Sequence, residues 1–149
     1  FKRAEGLLEN WMKQHHDKDC YPPTIINITD GEYNGVSHDE MQQLSNQLKS
    51  MFTNDGNVLL FNIHIVPGHT ESVVFPASLG ELNHNGYGEK LYNMASLLSL
   101  NYNEQIRAIF GDKQTDIRYH AMGVNTGMER LVKMMKIGTL SSMLVNNNQ

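Results

Sequence analysis

The chain has 149 residues, of which 40% are hydrophobic, and this is enough for one soluble domain with its own core. Twelve lysines and arginines against sixteen aspartates and glutamates give a net charge of −4, without a basic block that could neutralise a run of phosphates. This charge pattern argues against nucleic acid as a partner. No apolar run has the length of a membrane span, so we expect no membrane partner either.

Cysteine usage indicates the compartment. Cys20 is the only cysteine, so the chain can form no intramolecular disulfide and none of the thiolate-rich zinc sites. We therefore expect a reducing, cytoplasmic location. Because no nucleophile–base pattern surrounds Cys20, we interpret it as an inert thiol.

The first third of the chain predicts a helix followed by a strand. Pro22-Pro23 cannot continue a helix, and the β-branched run of residues 24–29 predicts a buried strand that ends at Asp30-Gly31. The helical pattern is already under way at the first residue, so we expect the chain to be a piece of a longer domain. Residues 1–15 predict this amphipathic helix because apolar side chains recur every three or four positions, at Phe1, Ala4, Leu7, Leu8, Trp11 and Met12.

The next segment predicts a capped helix and a central strand. Ser37 and Glu40 have the spacing of a capping box, which predicts a helix start. Asp55-Gly56 predicts the turn that follows. The nearly continuous apolar run of residues 58–66 predicts a parallel strand covered on both faces of a sheet. The capped helix is expected to place on one face Met41, Leu44, Leu48, Met51 and Phe52.

The second half predicts a long loop and then further alternation of helix and strand. Residues 67–85 predict the loop, with one short apolar run at residues 73–75. The remaining predicted elements are helices at 87–100 and 103–110, a strand at 117–124, a final helix lined by Met128, Leu131, Val132, Met135 and Ile137, and a disordered tail at 146–149. This alternation favours a three-layer αβα, Rossmann-like fold with a mainly parallel sheet.

Two of these segments resemble a known family. The sequence Pro-Pro-Thr-Ile-Ile-Asn-Ile-Thr-Asp-Gly-Glu at residues 22–32 resembles the fourth strand of a bacterial von Willebrand factor type A (VWA)-like domain, and residues 55–64 are similar to the next strand. Phe75-Pro76, the helix at 91–98 and the ending at 137–139 keep that family's order. The resemblance implies that residues 1–145 are the C-terminal portion of a VWA-like domain, a partial αβα domain whose function is protein interaction.

The resemblance also implies a metal site. In VWA-like domains the Thr-Asp-Gly sequence supplies the third element of a metal-ion-dependent adhesion site. Asp30, assisted by the hydroxyl of Thr29, would then help to bind Mg²⁺ or Mn²⁺, and an acidic residue of a protein partner would complete the coordination. The Asp-x-Ser-x-Ser loop and the later threonine loop of the family are absent from this sequence, so the site is incomplete. We expect this chain alone to bind Mg²⁺ weakly or not at all.

Two other classes of function remain. The first is an assembly subunit with a vestigial metal site, and the second is an Mg²⁺-dependent phosphoesterase that uses Asp30. A phosphoesterase needs several carboxylates at neighbouring strand ends, and none follows residues 64–66 or Asn125, so we expect no enzymatic activity. No two histidines have the i, i+4 spacing of a zincin helix, so we interpret all seven as surface or core residues: His15, His16, His38, His64, His69, His84 and His120.

The resemblance leaves one strand without a neighbour. In VWA-like domains the strand that resembles residues 24–29 lies beside the first strand, which this sequence lacks. Ile25, Ile26 and Ile28 provide no charge or proline to block pairing at such an edge. We expect the edge to pair with the missing N-terminal half or with a second copy in a homodimer. The alternative is that the helix of residues 1–15 covers the edge.

Overall fold

The fold alternates helices and strands, in a computed structural model that describes residues 1–15, 18–31, 33–68, 71–82 and 86–139. Its helices are α1 (Lys2–His15), α2 (His38–Ser50), α3 (Gly86–Met94), α4 (Asn103–Phe110) and α5 (Gly127–Gly138). Its strands are β1 (Thr24–Thr29), β2 (Phe52–Thr53), β3 (Gly56–Asn57), β4 (Leu59–His64), β5 (Val73–Val74) and β6 (Met122–Val124). Short 3₁₀ turns occupy Leu79–Leu82 and Leu100–Tyr102. The predicted tail at 146–149 lies outside the described residues.

The central sheet has four described strands in the order β1-β4-β6-β5. Strands β1 and β4 are parallel, and their register runs from Thr24 opposite Leu59 to Thr29 opposite His64. Strand β6 is parallel to β4 on its other side, and β5 pairs antiparallel with β6. Strands β2 and β3 form a separate antiparallel hairpin between α2 and β4. The result is the predicted α/β fold, with a mostly parallel sheet between layers of helices.

Alternate side chains of β4 point into the two helical layers. Phe61 and Ile63 pack on one face with α4 and α5, in a cluster that includes Leu98, Ile106, Met134 and Ile137. On the opposite face, α3 covers Met122 of β6 with Leu91, Tyr92 and Met94. A third cluster joins α1 and α2 to the same face through Leu8, Leu48 and Val58, with Ile25 of β1 packed against it. Central strand β4 is therefore covered on both faces, as predicted.

Two glycines let α5 lie close to the sheet. A Cβ atom at Gly138 would lie 2.9 Å from the ring of Phe61, and one at Gly123 would lie 2.4 Å from the methyl group of Thr126. The hydroxyl of Thr24 on β1 donates to the carbonyl of Gly138 at the end of α5. The last helix is thereby held against the first strand.

The start of α2 confirms the predicted cap. The Ser37 side chain accepts a hydrogen bond from the backbone N–H of Glu40 at 3.2 Å, which satisfies one of the open donors of the helix. The reciprocal half of a capping box is replaced by an ion pair, because Glu40 binds Lys2 of α1 at 2.9 Å. This pair connects α2 with α1.

Three predicted boundaries were wrong. The α2 helix ends at Ser50, so Phe52 begins the hairpin and is 72% exposed instead of lying on the helix face. The predicted helix at 87–100 stops at Met94, because residues 96–98 leave the helix to bond with neighbouring strands. Ser96 N–H donates to the Leu60 carbonyl, and Leu98 N–H donates to the Tyr119 carbonyl, both at 2.9 Å. The predicted strand at 117–124 shrinks to Met122–Val124.

The apolar run in the predicted loop is part of the sheet. Val73 pairs with Val124 and Val74 pairs with Gly123, so the run forms the antiparallel strand β5. Within the described residues, no helix combines the length and the apolar character that a membrane crossing requires.

Candidate functional site

The carboxyl end of β1 holds the two residues that the sequence predicts as metal donors. Asp30 follows the last strand residue and is exposed. The Thr29 hydroxyl donates to the Gly31 carbonyl at 2.7 Å and accepts from the Gly31 N–H at 3.3 Å. This hydroxyl therefore closes a local turn, and the turn presents the Asp30 carboxylate to solvent.

The neighbouring strands end in a histidine and an asparagine. His64 closes β4 and is buried, and its Nδ1 lies 3.4 Å from the Thr29 carbonyl. Because a carbonyl only accepts, Nδ1 carries the proton in this contact. Burial lowers the pKa of His64, an effect that the Thr29 carbonyl partly opposes. The ring is therefore neutral at physiological pH.

Asn125 follows β6 and shapes the same edge of the sheet. Its φ of 47° lies in the left-handed region, which asparagine tolerates better than most residues. The side-chain oxygen accepts from the Val66 N–H at 2.7 Å, and the Asn125 N–H donates to the His64 carbonyl at 2.9 Å. These bonds tie the loop after β4 to the end of β6.

An aromatic layer that the sequence analysis missed lies over His64. The Tyr87 ring of α3 meets the His64 ring edge to face at 5.2 Å, and Tyr33 lies 5.7 Å from Tyr87. The Tyr33 hydroxyl is 2.9 Å from Nδ1 of His38. Tyr33 and His38 follow the end of β1 in sequence, in the kind of loop where open α/β sheets place ligand contacts, and this was an available signal. The position of Tyr87 depends on tertiary packing and carried no such signal.

The donors that the structure describes at this edge do not make a complete metal site. Mg²⁺ takes six oxygen ligands in near-octahedral geometry, and Asp30 offers one exposed carboxylate beside a hydroxyl already used in a turn. Across the described residues, no three His, Cys, Asp or Glu side chains are grouped so that they could hold a metal ion. His16, His69 and His84 lie outside the described residues.

The outer edge of β1 is a second candidate surface. In the described sheet, β1 is paired only with β4, and Ile28 on it is 51% exposed. Helix α1 packs beside α2 on one face of the sheet, through Leu8 against the cluster that contains Ile25. No backbone hydrogen bond joins α1 to β1 within the described residues. The outer N–H and C=O groups of β1 are thus not paired with α1.

One side of α5 is a further exposed apolar surface. Met128, Val132 and Met135 recur at four- and three-residue spacing on this side of the helix and are exposed, Met128 by 75%. The opposite side carries Arg130 and Lys133, which border a cavity together with residues of α4. The apolar side therefore faces away from α4. We call these three side chains the α5 flank.

Comparisons with other proteins do not identify a family. The sequence matches no family model, and no curated protein and no solved structure is significantly similar to it. Its function is therefore inferred from the geometry of the two surfaces.

Proposed function

We propose that the chain is part of a VWA-like protein-interaction module and that it engages another polypeptide through the outer edge of β1. The observation that carries the proposal is the outer edge of β1, which pairs with no other strand among the described residues and whose exposed Ile28 adjoins no charged or proline residue within the strand. A strand with these features is a template for backbone pairing with another chain.

The proposed occupant is the N-terminal half of a VWA-like domain. Such a segment would add a strand beside β1 and a helix against the α5 flank. An added helix would cover three exposed apolar side chains, which contribute about 1 kcal/mol or more each when buried. A strand alone would leave the α5 flank exposed, so a strand–helix unit fits better.

The same occupant accounts for the position of Asp30. Asp30 lies directly after β1, at the end of the strand where an added parallel neighbour would also end. In this proposal the added polypeptide supplies the remaining Mg²⁺ or Mn²⁺ ligands, and an acidic residue of a further protein partner completes the coordination. If the added strand pairs without supplying these ligands, the chain acts as an assembly subunit with a vestigial metal site.

We also infer that the chain is not an enzyme. Among the described carboxyl ends of the parallel strands, Asp30 is the only carboxylate, since β4 ends at His64 and β6 is followed by Asn125. A phosphoesterase needs a group of carboxylates to hold its metal. Phosphoester hydrolysis by the purified chain, abolished by Asp30→Ala, would contradict this inference.

The experiment compares Ile28→Lys in two chains, this one and a longer one that includes the residues encoded before Phe1. In the present chain Ile28 is half exposed, so the lysine should change the free energy of unfolding by less than about 0.5 kcal/mol. In the longer chain the added strand–helix unit buries Ile28, and the same substitution should cost about 2 kcal/mol or more. Leu7→Lys, at a 65% exposed position of α1, is the matched control and should be neutral in both chains.

Hydrogen exchange and sedimentation provide the second measurement. The amides of β1 that do not bond to β4 should exchange rapidly in the present chain and slowly in the longer one. If the present chain sediments as a dimer with protected β1 amides, the occupant is a second copy. If Ile28→Lys is neutral in both chains and the amides exchange rapidly in both, the proposal is wrong.

A further inference from the structure

A cavity lies at the opposite end of the sheet from Asp30. It has a volume of about 380 Å³ and opens beside the first residues of β4, between the β2–β3 hairpin and the segment after α3. This volume is within the usual range for small-molecule sites, roughly 300–1,000 Å³. Its wall includes Lys49 of α2 and Arg118, which precedes β6.

The two cations are held by one short stretch of backbone. Lys49 Nζ donates to the carbonyl of Ala95 at 3.3 Å. Arg118 donates from Nε to the carbonyl of Leu98 at 3.0 Å and from a terminal nitrogen to the carbonyl of Leu97 at 3.2 Å. The three acceptor carbonyls belong to residues 95–98. Both positive charges are thus fixed on the same side of the cavity.

These charges are not balanced by ion pairs. Within the described part of the chain, neither Lys49 nor Arg118 forms a salt bridge with a carboxylate. Burial lowers the pKa of Lys49, and the field of both cations reaches His120, whose pKa is lowered to about 4 by burial, then by Lys49 and then by Arg118. With His120 neutral, the wall carries the two positive charges of half-buried Lys49 and exposed Arg118 against the one carboxylate of Asp55, so an anion is electrostatically favoured.

The remaining wall combines polar and apolar residues. Asp55 of the hairpin also lines the cavity, and it acts on Tyr102, whose pKa is raised first by burial and then by Asp55. Ser99 lines the cavity too and makes no side-chain capping bond, so its hydroxyl can donate to a ligand. The apolar part of the wall comprises Pro22, Val58, Leu59 and Leu97.

We propose that this cavity binds a small organic oxyanion, with its phosphate or carboxylate group between Lys49 and Arg118 and its apolar body against Pro22, Leu59 and Leu97. Arg118 provides planar, paired donors and Lys49 a point charge, a combination that suits oxyanion oxygens. The proposal is independent of the interaction through β1, which lies at another edge of the structure.

The test is a titration of the full chain with inorganic phosphate, and separately with acetate, at constant ionic strength, followed by backbone amide NMR. We expect saturable shifts at residues 95–99 and Arg118. Lys49→Met with Arg118→Met should weaken binding about tenfold or more, because both charge-assisted hydrogen bonds to the oxyanion are lost. Lys49→Arg with Arg118→Lys keeps both charges and should stay within a fewfold of the parent affinity.

The matched control removes two cations elsewhere. Arg130→Met with Lys133→Met makes the same change of charge at the cavity between α4 and α5, where Lys133 binds Glu129 and Arg130 binds Ser72. This variant should bind phosphate and acetate as the parent does.

If Lys49→Met unfolds the chain, Arg118→Met alone carries the test, because Arg118 is exposed. Shifts that never saturate, or that are equal in the parent and the methionine variants, would overturn the proposal. The anion with the stronger saturable binding identifies the phosphate or carboxylate class.

Discussion

The side-chain amide of Asn27 on β1 donates to the side-chain oxygen of Asn62 on β4 at 2.9 Å. Asn62 is fully buried, and its own amide donates to the Leu91 carbonyl of α3 at 2.8 Å. These two bonds connect the edge strand, the central strand and a helix through one buried polar side chain. Such a group stabilises the fold only while all its partners are present.

Replacing Asn62 with leucine should therefore destabilise the chain. The substitution keeps the volume similar but leaves the Asn27 amide without its acceptor and takes one of two donors from the Leu91 carbonyl, which keeps the Ala95 N–H, at a cost of about 2 kcal/mol. Urea unfolding followed by circular dichroism measures the change. Asn93→Leu, at an exposed position of α3, is the control and should change stability by less than about 0.5 kcal/mol. Equal effects of the two substitutions would show that the side-chain hydrogen bonds of Asn62 contribute nothing to stability.

Glycine 123 should not tolerate a side chain. A Cβ atom there would lie 2.4 Å from Thr126 Cγ2 and 3.0 Å from the Met134 sulfur, both in buried residues, so Gly123→Ala should cost about 2 kcal/mol or more. Gly6→Ala is the control in α1, where nothing lies within 4 Å, and it should stabilise the chain by about 0.5–1 kcal/mol. The midpoint temperature of thermal unfolding should fall for Gly123→Ala and rise for Gly6→Ala, relative to the parent chain. A Gly123→Ala variant as stable as the parent would contradict the packing of α5.

His120 should make stability depend on pH. Burial, Lys49 and Arg118 lower its pKa from 6.5 to about 4, and its ring stacks on Tyr92 at 3.7 Å. Between pH 4 and pH 6.5 the unfolded chain binds a proton at His120 more readily than the folded chain does. The contribution of His120 to the free energy of unfolding is therefore full above pH 6.5 and falls as the pH drops towards 4. The loss should be about 1–2 kcal/mol after allowance for solvent screening of a partly exposed ring.

Urea unfolding at pH 7.5 and 4.5 measures this loss, and NMR titration of the ring measures the pKa directly. His120→Gln should reduce the difference in stability between the two pH values, because glutamine does not titrate. A His120 ring that titrates near 6.5 in the folded chain would contradict the expected burial and charge effects.

Asp30 should be dispensable for the stability of this chain. It is exposed, so Asp30→Ala should change the free energy of unfolding by less than about 0.5 kcal/mol. Thr29→Val removes the hydroxyl that bonds Gly31 and should cost about 1 kcal/mol, which makes it the contrasting variant. Calorimetric titration with Mg²⁺ should give no saturable micromolar binding. Micromolar affinity that disappears in Asp30→Ala would show that the single carboxylate is part of a complete site.

The elements that the sequence predicted correctly are those whose patterns depend on local chemistry. The six-residue run from Thr24 to Thr29 is bounded by Pro23 and Gly31, and the structure places β1 at these residues. The cap at Ser37 likewise requires only the neighbouring backbone. The α3 boundary failed because Leu97 and Leu98 continue the helical spacing, while the backbone of residues 96–98 bonds to Leu60 and Tyr119, distant in sequence.

The candidate site was predictable to a smaller extent. Asp30 and Thr29 were singled out because the Thr-Asp-Gly sequence resembles a metal-site element of VWA-like domains, and the structure places them in a turn at the end of β1. The aromatic layer above His64 requires Tyr87 from α3, and the cation pair requires Lys49 and Arg118 to reach one stretch of carbonyls. Both groupings arise from the packing of separate elements, which no spacing within one segment encodes.

The contact between β1 and α5 has a consequence for synthesis on the ribosome. Thr24 and Gly138 are 114 positions apart, and the α5 side chains Met134 and Ile137 complete the core around Phe61. Until α5 leaves the exit tunnel, the nascent chain exposes the apolar face of the sheet on which α5 packs. Such intermediates aggregate readily and are typical chaperone substrates. Helix α5 therefore sets the earliest moment at which the newly made chain can close this part of its core.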